Sequence, residues 1–280
     1  MKRDYYSVRT GKLQIDPKLN LDILKRLFLV LYKKYDNTGY FQKYFGYYCV
    51  DSEDVPGELG ADIEAVLFLH IKKDYLWPID KKIIDYSEGD LFDIIEFLYD
   101  HISKPIDGYY HRFSGCGWHY HEFDDIAGRQ ALREEINHIL KDYEEGYELS
   151  ETGEVLILPD AGMAELLKAE IPTTDEQNIK RLIEGAILKF RRHKSTWDEK
   201  LDAIRDLTAV LEFTRDEAKK HLTRADEADL FNLANNFGIR HHNANQKTDY
   251  DKAIWYRWMF NYYLNTIHAL LRIIRKAENN

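Results

Sequence analysis

Residues 182–213, LIEGAILKFRRHKSTWDEKLDAIRDLTAVLEF, contain two amphipathic segments separated by a short polar link. In both segments apolar residues recur every three or four positions, which is the period of one helix face. Thr196 and Glu199 form a capping-box pattern, in which two side chains satisfy the first free N–H groups of a helix. The stretch therefore predicts two neighbouring antiparallel helices of a bundle.

The rest of the C-terminal part also reads as helical. Thr174, with Gln177 three residues later, opens the first helix of the bundle. Another helix is predicted at about residues 226–236, and the last at about 250–276. Polar and charged residues interrupt this last helix too often for a membrane span, so we expect no membrane association. Its many aromatic side chains are typical of burial on several sides, and we prefer packing to base stacking as their role.

The N-terminal part is also mostly helical by pattern. Helices are predicted at about residues 21–35, 61–72, from 87 up to Lys104-Pro105, and 124–143. Residues 107–123 show no usable period, and we expect an irregular packed loop there. Two short apolar runs flank a Gly-containing turn and predict a small β-hairpin near 146–158. The predicted fold is thus mainly α, with a helical N-terminal module (residues 1–172) before a helical bundle (residues 173–280).

The formal charge is divided unevenly between these two parts. The whole chain carries −10, yet from residue 173 onward 19 Lys and Arg face 16 Asp and Glu. The overall charge argues against a protein that coats nucleic acid. The first 172 residues carry −13, and this acidity suits a protein partner for the N-terminal part. Two distant cysteines and an N-terminal segment without an apolar run predict a cytoplasmic protein without a disulfide framework.

The first candidate site lies in FGIRHHNANQ, residues 237–246. Arg240, His241 and His242 cluster there in a loop between two predicted helices. An arginine can hold a phosphate with two hydrogen bonds, and a histidine can act as general base near neutral pH. Together they suit phosphodiester cleavage without a metal. The alternative is structural, with Arg240 paired to Asp206 or Glu212 and the histidines packed against the last helix.

A second candidate is a metal site around Cys116, His119 and His121, with His111 upstream. Structural zinc needs four ligands, usually in close pairs, and the sequence near this motif supplies no second cysteine. An aromatic-rich packed loop is the preferred interpretation, so the sequence predicts neither a metal nor another cofactor. A metal-dependent enzyme built on His119 and His121 ranks below the other hypotheses.

Arg191 and Arg192 belong to a basic cluster at the end of a predicted helix. Positive charge at this position favours the helix dipole, which is the simpler explanation. RNA contact is the alternative for both residues, and Asn243 in the loop at 237–246 would join them in holding RNA.

Several of these stretches resemble a known family. Residues 182–213 and 237–246, together with the aromatic last helix, are similar to the HEPN-like domains of AbiJ-type abortive-infection proteins. LFDIIEFLYD (residues 91–100) and residues 132–158 look like the N-terminal module that accompanies such domains. The resemblance implies a dimerising four-helix bundle and a metal-independent ribonuclease site, in which an arginine is followed after four to six residues by a histidine.

Residue by residue, the resemblance assigns Arg240 to the family arginine and His241 to the polar residue beside it. Asn245, Gln246 and Lys247 stand where the distal histidine should fall, so catalysis would need His241 or His242 instead. We therefore expect a prokaryotic phage-defence or stress-response protein, dimeric through its C-terminal bundle, that binds RNA and uses these residues for any cleavage. The alternative is a non-catalytic oligomeric sensor or protein-interaction module.

Overall fold

The computed structural model describes residues 5–11, 18–223 and 250–278, and the chain divides into two compact units, Met1–Leu158 and Pro159–Asn280. Each unit has its own hydrophobic core. The predicted site residues Arg240, His241, His242 and Asn243 lie outside the described residues. Most of the described chain is helical, which confirms the predicted class as mainly α with small antiparallel strand pairs.

The helices of the N-terminal unit supply most of its core. Several begin with a side chain that accepts a hydrogen bond from the first turn. Ser87 and Asp90 form a complete capping box, as the sequence pattern predicts, and Asp124 caps the last helix. The helices are α1 (Tyr6–Arg9), α2 (Leu21–Asn37), α3 (Gln42–Phe45), α4 (Ile63–Ile71), α5 (Ile79–Lys82), α6 (Glu88–Asp100) and α7 (Asp125–Leu140).

Three two-stranded antiparallel ribbons complete the described part of this unit. Their strands are β1 (Tyr47–Cys49) with β2 (Glu53–Val55), β3 (Lys104–His111) with β4 (Gly117–Asp124), and β5 (Tyr147–Leu149) with β6 (Val155–Ile157). The last of these confirms the predicted hairpin near 146–158. Asn137 of α7 fixes it, because its side-chain amide donates to the Leu149 carbonyl at 3.1 Å and accepts from the Leu149 N–H at 2.6 Å.

The prediction of an irregular loop at residues 107–123 is wrong. These residues form most of the β3–β4 hairpin, which turns through a short helical segment at Phe113–Gly115. Its strands carry aromatic side chains on both faces, so the alternation of apolar and polar residues that identifies a strand is missing. Because β3 begins at Lys104, α6 ends at Asp100, before the predicted Lys104-Pro105.

The C-terminal unit contains a pair of helices and, after residues 224–249, which lie outside the described part of the chain, one long helix. Thr196 and Glu199 form the predicted capping box at the start of the second helix of the pair. The first helix is preceded by a single π-helical turn, Glu176–Lys180. Asp175, not Thr174, caps this turn, because the Asp175 carboxylate accepts a hydrogen bond from the Asn178 N–H. The helices are α8 (Ala164–Lys168), α9 (Arg181–Arg191), α10 (Trp197–Phe213), α11 (Arg215–Ala218) and α12 (Lys252–Glu278).

The division between the units lies at Leu158–Pro159, ahead of the position between residues 172 and 173 that the sequence suggests. The segment between the two positions packs with the C-terminal unit. Met163 and two leucines of α8 contact the core of that unit, and the Asp160 carboxylate accepts from Asn261 at 3.0 Å and pairs with Arg257 at 3.1 Å. In the part of the chain that the structure describes, no helix has the length and apolar character needed to cross a bilayer.

Candidate metal centre

Four side chains from the N-terminal unit bring potential metal ligands to one place. One ligand atom from each lies within 4.8 Å of every other, and two of the side chains are buried and two half-buried. Three come from the β3–β4 hairpin or its turn, and the fourth ends strand β1. The four are Cys49, His111, Cys116 and His119.

The distances between these ligand atoms suit a tetrahedral ion. The Cys49 sulfur lies 3.8 Å from His111 Nδ1, and the Cys116 sulfur lies 3.3 Å from His119 Nε2. With Zn–S bonds of about 2.3 Å and Zn–N bonds of about 2.0 to 2.1 Å, tetrahedral angles place sulfur and nitrogen about 3.6 Å apart. The two observed distances lie on either side of that value.

Both histidines also have a partner for the nitrogen that points away from the cluster. His111 Nε2 lies 3.3 Å from a carboxylate oxygen of Asp51, and His119 Nδ1 lies 3.1 Å from the Tyr109 hydroxyl. Metal-binding histidines usually donate their second N–H to such a group, which fixes the tautomer and the ring plane. With the ring protons on His111 Nε2 and His119 Nδ1, the lone pairs of His111 Nδ1 and His119 Nε2 point towards the two sulfurs.

The environment of the two thiols differs. The backbone of Asp51, and to a smaller extent that of Ser52, lowers the pKa of the Cys49 thiol by hydrogen bonding to its sulfur. Burial raises the pKa of the Cys116 thiol, although the backbone of Val50 opposes that change. The backbone of the turn between β1 and β2 thus favours the thiolate of Cys49, whereas burial favours the neutral thiol of Cys116.

His119 sits at the most enclosed point of the cluster. Its ring stacks on Tyr47 with centroids 4.3 Å apart, and burial, helped by nearby His111, lowers the pKa of its imidazole. A buried neutral imidazole keeps a lone pair available to a metal near neutral pH. His121, two residues later, is exposed, and its Nε2 lies 4.0 Å from the Asp107 carboxylate, so it does not join the cluster.

The sequence-based candidate set was therefore incomplete. It contained Cys116 and His119, with His111 noted upstream, but it included His121 and lacked Cys49. Cys49 stands 62 residues before His111, and only the packing of β1 against the hairpin brings it close. Cys116 and His119, three residues apart, are the pattern that indicates a metal site in the sequence. Cys49 has no other potential ligand of the cluster near it in the sequence.

The other predicted site residues lie in the C-terminal unit. Arg191 ends helix α9 and is half-buried, whereas Arg192 follows as its exposed C-terminal cap. Asp206, one of the acids considered as a partner for Arg240, accepts a hydrogen bond from Lys189 at 2.6 Å. Glu212, the other, pairs with Arg215 at 3.5 Å.

Comparison with known proteins yields no relative for this chain. No family model matches it, and neither does any curated protein or solved structure.

Proposed function

We propose that the N-terminal unit is a zinc-binding module in which Cys49, His111, Cys116 and His119 ligate one Zn²⁺ ion. The observation that carries this proposal is the convergence of these four ligand atoms within 4.8 Å. Two thiolates and two imidazoles form a ligand set that suits zinc and discriminates against Mg²⁺ and Ca²⁺, which prefer oxygen.

The role that we propose for this ion is structural. Four protein ligands complete a tetrahedral shell and leave no position for a water or a substrate, unlike catalytic zinc sites with three protein ligands. The ion would join β1–β2 to the turn of β3–β4. Because a two-stranded ribbon is at best marginally stable by itself in water, such a link supplies what both ribbons need.

Metal analysis of His119→Ala and His121→Ala variants tests this proposal. Both histidines lie on β4, but only His119 belongs to the cluster, so the pair is matched. We expect about one zinc per chain in the wild-type protein and in His121→Ala, and a clear loss of zinc from His119→Ala. Equal zinc content in the two variants, or no zinc in the wild-type protein purified without chelator, would contradict the proposal.

A second function that we propose is RNA binding by the C-terminal unit, in the context of phage defence or stress response. It is supported by the resemblance to AbiJ-type proteins and by the basic end of α9, where Arg192 and Lys194 are exposed beside half-buried Arg191. From residue 173 onward the chain is net positive, which favours a polyanion more than the acidic N-terminal unit does.

Charge reversal at the end of α9 tests RNA binding. We expect an Arg191→Glu/Arg192→Glu protein to bind single-stranded RNA about tenfold more weakly than the wild-type protein, because phosphate contacts and counterion release are lost. The matched control is Lys219→Glu/Lys220→Glu, which makes the same change in charge elsewhere in the unit. Equal weakening in both proteins would show a general charge effect and no site at Arg191 and Arg192.

Cleavage is a separate question from binding. In the catalytic form of this proposal, His242 or His241 deprotonates a ribose 2′-hydroxyl and Arg240 stabilises the charged phosphate. RNA turnover in the presence of chelator should then disappear in Arg240→Ala and His242→Ala variants. Equal turnover by all three proteins would remove these residues from the mechanism, and RNA binding without turnover would support a non-catalytic sensor.

A further inference from the structure

The face of the β3–β4 hairpin opposite the cysteines and histidines carries three aromatic rings. Tyr110 pairs with Trp118, and Tyr120 pairs with Gly108 two residues further along, so all three rings lie on one face. His119 and its cross-strand partner Tyr109 point to the other face. The hairpin therefore separates the proposed metal ligands from what we call the aromatic face, formed by Tyr110, Trp118 and Tyr120.

Two of the three rings are exposed, and the third, Tyr120, is half-buried against Gly39. Trp118 and Tyr120 are nearly parallel, at 9° with centroids 5.7 Å apart, and Tyr110 meets Trp118 edge-on at 5.7 Å. Trp118 is 49% exposed and Tyr110 53%. Gln42 of α3 holds this strand in place, because its amide donates to the Trp118 carbonyl at 2.9 Å and accepts from the Tyr120 N–H at 3.0 Å.

Two carboxylates border the aromatic face at Tyr120. Glu58, which follows β2, and Glu122 of the hairpin strand line one pocket together with Tyr120, and both glutamates are exposed. Lys43 also lines this pocket, but its ammonium group pairs with the Asp125 carboxylate at 2.7 Å.

We propose that the aromatic face binds an arginine-rich segment of a partner protein. A guanidinium group stacks on an exposed indole or phenol ring, and Trp and Tyr are the residues most often found at the centre of protein interfaces. Glu58 and Glu122 beside Tyr120 attract a basic partner and can pair with its arginines. A nucleic acid would also find rings to stack on, but these carboxylates repel its phosphates. The inference does not rest on RNA binding, and it requires only that the β3–β4 hairpin is folded.

Fluorescence anisotropy with a labelled oligoarginine peptide tests this inference on the full chain. We expect binding that weakens about tenfold or more in Trp118→Ala and in Tyr110→Ala, because each variant removes a ring on which guanidinium groups stack. Oligolysine of the same length should bind less tightly, since an ammonium group is more strongly hydrated and less able to stack. The control variant is Tyr75→Ala, which removes an exposed tyrosine elsewhere in the unit.

The thermal unfolding of each variant shows whether the hairpin is intact, since Trp118 and Tyr110 are only half-buried and their loss should leave the fold in place. Oligoarginine binding that is unchanged in Trp118→Ala and Tyr110→Ala, or equally weakened in Tyr75→Ala, would overturn the proposal. A second result would also overturn it: tighter binding of oligouridine RNA than of oligoarginine by the wild-type protein, lost in Trp118→Ala. The aromatic face would then be a surface on which bases stack.

Discussion

Removal of zinc by a chelator is expected to release the β3–β4 hairpin while leaving the helices of the N-terminal unit folded. The hairpin is a single two-stranded ribbon, whereas the helices share a large buried core, from Leu24 in α2 to Leu140 in α7. If zinc at one hundred times its Kd stabilises the bound form by about 2.7 kcal/mol, its loss should speed amide exchange in β3 and β4 by about a hundredfold.

The same unit contains an internal control for this experiment. The β5–β6 hairpin has no residue in the metal cluster, and Asn137 attaches it to α7 through two hydrogen bonds. Its amides should exchange at the same rate with and without chelator. Protection of β3 and β4 that does not depend on chelator, in a protein shown to have lost its zinc, would mean that the ion does not stabilise this hairpin.

The second large effect is expected from Gly46→Ala, at the residue between α3 and β1. Gly46 has φ of 82° and ψ of −164°, and a Cβ added there would lie 2.0 Å from the Val55 carbonyl oxygen of β2. An alanine would suffer both the backbone strain and the collision, so β2 would have to move. Because Cys49 lies three residues further along, we expect weaker zinc binding together with lower stability.

A Gly60→Ala variant distinguishes the effect of backbone strain from that of the collision with Val55. Gly60 has the same positive φ of 82°, but an added Cβ would meet nothing within 4 Å. Backbone strain alone should lower the free energy of unfolding by about 1–2 kcal/mol, whereas the collision at Gly46 should add about 1–3 kcal/mol. Urea unfolding and zinc titration of both variants measure the difference. Similar losses in the two proteins would show that the ribbon moves aside at little cost.

The elements that can be predicted from the sequence are those fixed by interactions between residues a few positions apart. Helices α6 and α10 could be predicted because their capping boxes, Ser87 with Asp90 and Thr196 with Glu199, and their apolar faces are all local patterns. The β5–β6 hairpin was equally visible, because two apolar runs flank a short turn. In these elements each residue is explained by neighbours within a few positions.

The β3–β4 hairpin and the complete ligand set could not be predicted for the opposite reason. Tyr109 and Tyr110 are adjacent, yet one lies beside the histidine cluster and the other on the aromatic face, so both faces of the strand look alike in sequence. Cys49 enters the cluster only through a contact that spans 62 residues. Its role is fixed by tertiary structure and leaves no periodic signal.

The position of Gln42 has a consequence for the solubility of this protein. A strand with an unpaired edge offers its free N–H and C=O groups to the strand of another molecule and can start aggregation. On β4, the Gln42 amide occupies both the Trp118 carbonyl and the Tyr120 N–H, as an additional strand would. One side chain thus blocks the middle of the β4 edge, beside the exposed aromatic rings, against pairing with a strand of another molecule.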